Sequence, residues 1–386
     1  MITDSRRTIH DWWRSISLVA LIIATSIGCQ PTKEKSVQSQ TVYTRYAKGF
    51  SVEQVGESKL LKVNYPYQNA TSGYSYLLVP KGKTAPAHDA ATQVVYIPIE
   101  RIVCTSTTHI PLLDYIDQTQ SLIGFPTTDY ISSEKMRKRI DGGLVKDLGI
   151  DKGMDLESLV KLKPELVMGY TMGSDLGQLK KIQELNIPVV INAEYLERHP
   201  LGRAEWIKFM ALFFGKERQA DSVFNSIEKQ YLQTAQLASE AIEKPTVLCG
   251  VLYGDGWFLP GGENYASRIL RDAGCNYLWA ADSSHGFLQL GFETVYTKAK
   301  DADLWIGVAA FKSLQELSAA EERYALFAPF KRGNVYTYDA RHGAKGGSEF
   351  LELGYLRPDL ILKDLVKIAH PATLPNHTLF FYKQLE

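Results

Sequence analysis

The sequence predicts an α/β protein of two similar lobes with parallel sheets, joined by a long helix and preceded by a β-rich N-terminal extension. Three observations predict it. First, one helix–strand unit occurs twice. Leu156-Glu157-Ser158-Leu159-Val160 leads to Pro164-Glu165-Leu166-Val167-Met168-Gly169, and Phe292-Glu293-Thr294-Val295-Tyr296 leads to Asp301-Ala302-Asp303-Leu304-Trp305-Ile306-Gly307. Leu156, Leu159 and Val160 share a register with Phe292, Val295 and Tyr296, so each helix buries one stripe and carries a glutamate on its other face. Second, short apolar strands alternate with helical stretches in both halves, as a parallel sheet covered on both faces requires. Third, residues 202–241 interrupt that alternation with helical stripes alone.

The N-terminus reads as a targeting segment. Arg6, Arg7 and Arg14 precede an uncharged apolar run from Ile16 to Ile27, too short for a bilayer, which takes ~20 residues, but right for a signal h-region. Ser26-Ile27-Gly28-Cys29 resembles a bacterial lipobox, which predicts a signal over 1–28, a lipid on Cys29 and a polar tether over 29–40. Residues 41–93 form the β-rich extension: Val42 to Tyr46, Leu60–Val63 and Tyr74–Val79 read as strands between Gly and Pro punctuation.

Residues 94–200 make the first lobe. Strands are expected at Ile102–Cys104, Ser121–Phe125, Leu166–Gly169 and Ile187–Ile191, with a helix opened by Thr107-Thr108-His109-Ile110-Pro111. In the connecting segment 201–243, Trp206, Phe209, Met210 and Phe213 form one stripe, and Ala220, Val223, Phe224, Ile227 and Tyr231 a second. The second stripe predicts a helix of about 25 residues, roughly 38 Å long, serving as a strut or as one of two packed helices. The second lobe, 244–386, begins with a strand over Thr246–Val251. A helix over 262–273, strands at Leu304–Val308 and Asn334–Tyr338, and a last helix opened by Arg357-Pro358-Asp359 follow.

Formal net charge is zero, so the basic excess of a nucleic-acid binder is missing. Cys104 and Cys249 lie in strand-like runs, and with Cys275 they read as free thiols in place of a disulfide. No GxSxG, HExxH, P-loop or EF-hand pattern is present. Gly254-Asp255-Gly256 and Gly261-Gly262 read as a turn entering a helix at Asn264.

Ligands of open parallel sheets bind beyond the carboxyl ends of the strands. That rule selects the loops Ser106–His109, Phe125–Tyr130 and Tyr170–Met172 in the first lobe, and Tyr253–Phe258, Ala309–Phe311 and Arg341–Ala344 in the second. The cleft candidates are therefore Tyr130, Tyr170, Trp257 and Phe311 as aromatic lining and His109, Arg341 and His342 as polar groups. Each has an ordinary alternative: His109 as part of a helix turn, Arg341 and His342 as solvated loop residues, the tyrosines as surface residues.

The stretches Arg101-Ile102-Val103 through His109, Met154 through Val167, and Gly291 through Trp305 resemble the substrate-binding proteins of ABC importers for ferric siderophores, haem and vitamin B12. The similarity spans about residues 94–370. It implies two Rossmann-like lobes, one connecting helix, a shallow cleft with little hinge motion, and a monomeric delivery protein. It also implies that Glu157 and Glu293, one per lobe, dock into arginine pockets of an ABC permease dimer that works with ATPase subunits. Residues 41–93 are longer than compact members of that family need.

The expected ligand is an iron complex, a ferric siderophore or haem. An anionic siderophore would use Arg341, and haem an axial His109 or Tyr170. A cobamide lying on Trp257 is the alternative. No cofactor of the protein's own and no resident metal site are expected, since the iron or cobalt belongs to the ligand. An exported α/β enzyme is the reading from another class, and it needs a nucleophile–base pair that the sequence does not display. An adhesion or scaffold lipoprotein would carry repeated β-domains, and none are seen. The expected location is the periplasmic or cell-surface face of a bacterial membrane, with the chain held at Cys29.

Overall fold

A computed structural model describes residues 43–386. The signal, Cys29 and the tether lie outside the described residues.

Four strands open the chain: β1 (Phe50–Val55), β2 (Ser58–Val63), β3 (Tyr74–Pro80) and β4 (Gln93–Ile97). They form one sheet in chain order, antiparallel except for the parallel β3–β4 pair. The expected strand at Tyr43–Tyr46 is instead a loop, and the reason is a pair of buried carboxylates. Glu205 accepts the backbone N–H groups of Arg45, Tyr46 and Ala47 at 2.8–2.9 Å. Glu197 accepts those of Lys48 and Gly49 at 2.8 and 2.7 Å, and the Trp206 indole N–H at 3.0 Å. Donors turned toward side chains cannot serve a sheet ladder.

The first lobe holds β5 (Ile102–Cys104), β6 (Leu122–Phe125), β7 (Lys146–Asp147), β8 (Leu166–Gly169) and β9 (Val189–Ile191), all parallel, in the order β7-β6-β5-β8-β9. Its helices are α1 (His109–Tyr115), α2 (Glu134–Asp141), α3 (Leu156–Leu162) and α4 (Gln178–Glu184). Every residue of β5, β6, β8 and β9 is buried, which explains their continuous apolar character. The N-terminal sheet covers the outer side of β9. The Gln93 amide is placed to donate to Val189 O at 2.8 Å and accept from Val189 N at 2.9 Å, and the Tyr76 hydroxyl accepts from Ile191 N at 3.0 Å.

Two helices follow. In α5 (Pro200–Leu212) every residue except Arg203 is buried. In α6 (Glu217–Ser239) a single stripe, Ala220, Phe224, Ile227, Tyr231, Thr234 and Ala238, faces inward. The long helix therefore packs against α5 on one side, not as a free-standing strut.

The second lobe contains β10 (Thr246–Cys249), β11 (Val251–Tyr253), β12 (Gly256–Pro260), α7 (Tyr265–Asp272), β13 (Asn276–Tyr277), β14 (Phe287–Leu290), α8 (Phe292–Ala299) and β15 (Leu304–Ile306). It continues with α9 (Leu314–Ala320), α10 (Ala328–Arg332), β16 (Val335–Thr337), α11 (Glu349–Leu353), α12 (Pro358–Ala369) and β17 (Lys383–Gln384). The main sheet runs β13-β10-β15-β16-β17, parallel apart from β17. The expected strand 246–251 is broken at Gly250, whose φ is +77°. A Cβ there would lie 1.8 Å from the Phe258 carbonyl oxygen, so only glycine lets the chain turn into the separate antiparallel sheet β11-β12-β14.

The sequence repeat has a structural meaning. Its strands β8 and β15 occupy matching places, between β5 and β9 in one sheet and between β10 and β16 in the other. Its acidic residues do matching work. Glu165 accepts the N–H groups of Glu100 and Arg101 ahead of β5, and Asp303 accepts the N–H and hydroxyl of Thr246 at the start of β10. Cys104, Cys249 and Cys275 are buried free thiols. Burial raises each thiol, Cys275 to about 12, which keeps it unreactive.

Candidate functional site

The carboxyl ends of β5, β6 and β8 open into a cavity of about 470 Å³, within the usual size of small-molecule sites. Its floor is the Thr105–Thr107 segment after β5. Its walls are Phe125–Thr127, Ile150–Lys152, Tyr130 and Tyr170. Tyr130 stands exposed at the rim. Tyr170 is half-buried, and burial followed by the charge and hydrogen bond of Asp151 raises its phenol. Burial likewise raises the Asp151 carboxyl.

The second lobe presents the outer face of the β11-β12-β14 sheet. Tyr253 is 81% exposed and Phe287 70%, with Phe258 beside Tyr253 at a ring separation of 6.2 Å. Strand alternation decides what faces out. Tyr253 and Phe258 share the outer side, and Trp257 takes the inner one.

Trp257 therefore corrects the expectation. It is 0% exposed, stacks on Trp305 at 5.4 Å, meets Tyr324 and Phe327, and donates its indole N–H to Cys249 O at 2.9 Å. It holds the hairpin on the core and does not line a cleft. The glycines before it, Gly254 and Gly256, close a hairpin and do not enter a helix, whereas Gly261 and Gly262 form the expected turn into α7, with Asn264 N–H donating to Gly261 O at 3.1 Å and Asn264 capping the helix.

His109 is also displaced from its expected role. It is wholly buried in the first turn of α1, and neither ring nitrogen has a hydrogen-bond partner. Burial lowers its pKa to about 3, so the ring is neutral. Arg341 and His342 are engaged within their own loop. Arg341 pairs with Glu349 at 2.6 Å and lies 4.3 Å over Phe380, while His342 contacts Asp339 at 3.1 Å. Phe311 is half-buried against the lobe core. Of the cleft candidates, Tyr130 and Tyr170 are the two the structure brings together. Among the described residues no group of three or more His, Cys, Asp or Glu is arranged to hold a metal ion.

The loop-selection rule reached Ser106, Thr107, Tyr253 and Phe258 without singling them out, and it missed Thr105, Asp151 and Phe287. Alternation around Tyr253–Phe258 was the one available signal. It also missed the contact that ties the lobes beside the cavity. Glu352 of α11 accepts the N–H groups of Ser132 and Ser133 at 2.7 and 2.8 Å, just past Tyr130. Gly347 lies so close that a Cβ would sit 2.0 Å from the Tyr130 carbonyl oxygen.

Burial raises Glu352 to about 7 against the two N–H donors, with Asp114 adding to the rise. An acid with a raised folded pKa binds more protons folded than unfolded between its ordinary value and 7. Stability from this group therefore falls as pH rises through that window. Glu352→Gln should lose that part of the slope. Between pH 5 and pH 8 its unfolding free energy should fall by up to about 3 kcal/mol less than the wild type's in urea titrations. Parallel slopes would refute the assignment.

Residues 102–342 match the family described as periplasmic binding protein. An uncharacterised lipoprotein of Methanocaldococcus jannaschii is 25% identical, with 95% of this chain and 94% of the relative covered; a second from the same organism is 26% identical, with 92% and 94% covered. Among solved structures, the periplasmic haem-binding protein RhuT of Roseiflexus sp. RS-1 shares the fold with a TM-score of 0.55 and 17% identity, over 71% of this chain and 99% of that one. A periplasmic binding protein of Veillonella parvula gives 0.56 and 14%, over 86% and 98%. With the paired sheets, the repeated unit and a match over most of its length, the chain belongs to the periplasmic binding protein family.

Proposed function

We propose that this protein is the lipid-anchored substrate-binding component of an ABC importer and that it captures an iron complex, a ferric siderophore or haem, for delivery to the permease. The observation that carries the reading is the open cavity at the carboxyl end of the first-lobe sheet, floored by hydroxyls and walled by Tyr130 and Tyr170. Phenolic and hydroxyl oxygens suit a hard, oxygen-rich chelate, and the outer face of Tyr253, Phe258 and Phe287 suits a flat or aromatic one. The names of similar solved structures support it: RhuT and the HutB protein of Vibrio cholerae are both described as haem-binding. Lipid anchoring is supported by the lipobox at Cys29 and by the lipoprotein names of the two archaeal relatives. Glu157 and Glu293, exposed on matching helices, are the permease contacts of this reading.

The absorption spectrum of protein purified from its native host tests the ligand. A Soret band indicates haem, a catecholate or hydroxamate charge-transfer band a ferric siderophore, and a corrin spectrum the cobamide alternative that the flat aromatic face also suits. For the complex so identified, Tyr130→Ala and Phe258→Ala should each weaken binding about tenfold at unchanged Tm. Wild-type affinity in both variants would sink the site.

A further inference from the structure

Thr108 is the N-cap residue of α1, yet its hydroxyl caps nothing. It turns instead to the Glu194 carboxyl, in a short hydrogen bond to Oε1, and meets Ser106 Oγ at 2.8 Å on its other side. Ser106 lines the cavity, so a continuous row of three oxygens runs from the cavity floor into the protein. Glu194 ends that row in a fully enclosed position. Its Oε2 has no hydrogen-bond partner, although such atoms are almost always satisfied.

We infer that Glu194, acting through Thr108 and Ser106, sets whether the cavity floor donates or accepts a hydrogen bond to the bound complex, and so helps select it. The inference rests on the binding role proposed above. The logic is that of hydroxyl chains. An ionised Glu194 only accepts, so Thr108 must donate to it, Thr108 then accepts from Ser106, and Ser106 offers the cavity a lone pair. A protonated Glu194 can donate to Thr108; both hydroxyls rotate, and Ser106 offers the cavity its proton. One proton is gained at Glu194 and no heavy atom moves.

The groups facing Glu194 leave this balance open to change. Burial raises its carboxyl, while the Thr108 hydroxyl and the Arg203 charge on α5 oppose the rise. Arg203 is itself held between the rings of Tyr265 and Tyr355, at 3.9 and 4.4 Å. Tyr195, a neutral phenol, also feels the Glu194 charge, and His109, which follows Thr108 in the chain, is neutral. Glu194 is thus a positioning residue, one wall behind the ligand.

Two measurements on the full chain decide it. The first needs no ligand: the Glu194 carboxyl carbon is titrated by NMR. Thr108→Val, which deletes a donor that lowers this pKa, should raise it, and Thr108→Ser should restore it. The second uses ferrichrome and ferric haem as probes, with Kd read from tryptophan quenching at pH values on either side of the Glu194 midpoint found in the first. For these acceptor-rich probes, the wild type and Thr108→Ser should bind about fivefold to tenfold tighter on the acid side of the Glu194 titration. Thr108→Val and Glu194→Gln should show no such step, and comparison at each pH cancels titration of the probe itself. An unmoved Glu194 pKa in Thr108→Val, or a wild-type pH step in both variants, overturns the relay. Failure of the wild type to bind any iron complex would overturn the importer reading instead, and the NMR titration would still decide the relay.

Discussion

Under the importer role proposed above, reversing Glu157 and Glu293 together, as Glu157→Lys with Glu293→Lys, is expected to abolish stimulation of the permease-coupled ATPase while leaving ligand affinity intact. The two side chains are 80% and 84% exposed in the first turns of α3 and α8. Those helices lead into strands of matching position, so the carboxylates are presented as a pair on a rigid frame. A two-fold partner offering an arginine to each would gain two charge-assisted contacts at a fixed separation, which sets orientation as well as affinity. Lys161 at 2.5 Å and Arg323 at 3.8 Å accompany them now. Exposed ion pairs of this kind hold weakly and yield to a better partner. Each single reversal should weaken docking by about tenfold or more, as read from the protein concentration that half-saturates the ATPase. Full stimulation by the double variant would end the docking assignment.

Glu205→Leu is expected to destabilise the protein by about 3–5 kcal/mol. Glu205 is fully buried, and three backbone N–H groups depend on it. Lys208 lies 3.0 Å away, also buried, and would lose its nearest counter-charge. Urea unfolding should show the lowered stability, and hydrogen exchange should accelerate selectively at Arg45, Tyr46 and Ala47. Adding Lys208→Met should recover part of the loss, because the stranded charge goes with it. A cost within ±0.5 kcal/mol, the scale of an ordinary surface change, would show that the loop docks by packing alone.

How much of this was legible depended on how local each signal was. β5, β6, β8 and β9 declared themselves, since a strand buried on both faces must be apolar throughout. The repeat announced matching lobes because its helix and strand are adjacent in sequence. The loop-selection rule found Tyr130 and Tyr170 by the same locality. Trp257 was misplaced because Gly250 ends one strand and starts another, and no apolar pattern marks that break. The following alternation then sends Trp257 inward and Phe258 outward. Glu197, Glu205 and Glu352 were invisible as anchors: the backbone N–H groups they hold lie from 148 to 220 residues away, and a glutamate in or beside a helix looks the same whether solvated or clamping a distant loop. His109 looked like a ligand only because a histidine near a cleft invites it; the packing of α1 turns its ring to the interior.

The cover over β9 has a consequence for the solution behaviour of the molecule. An outermost strand with free N–H and C=O groups is a template on which another chain can add. Here Gln93 satisfies both backbone groups of Val189, and Tyr76 takes the N–H of Ile191, so side chains stand where a foreign strand would dock. The first four strands thus seal the β9 edge of the sheet against strand exchange. A protein held at high local density can keep its neighbours at arm's length by that means.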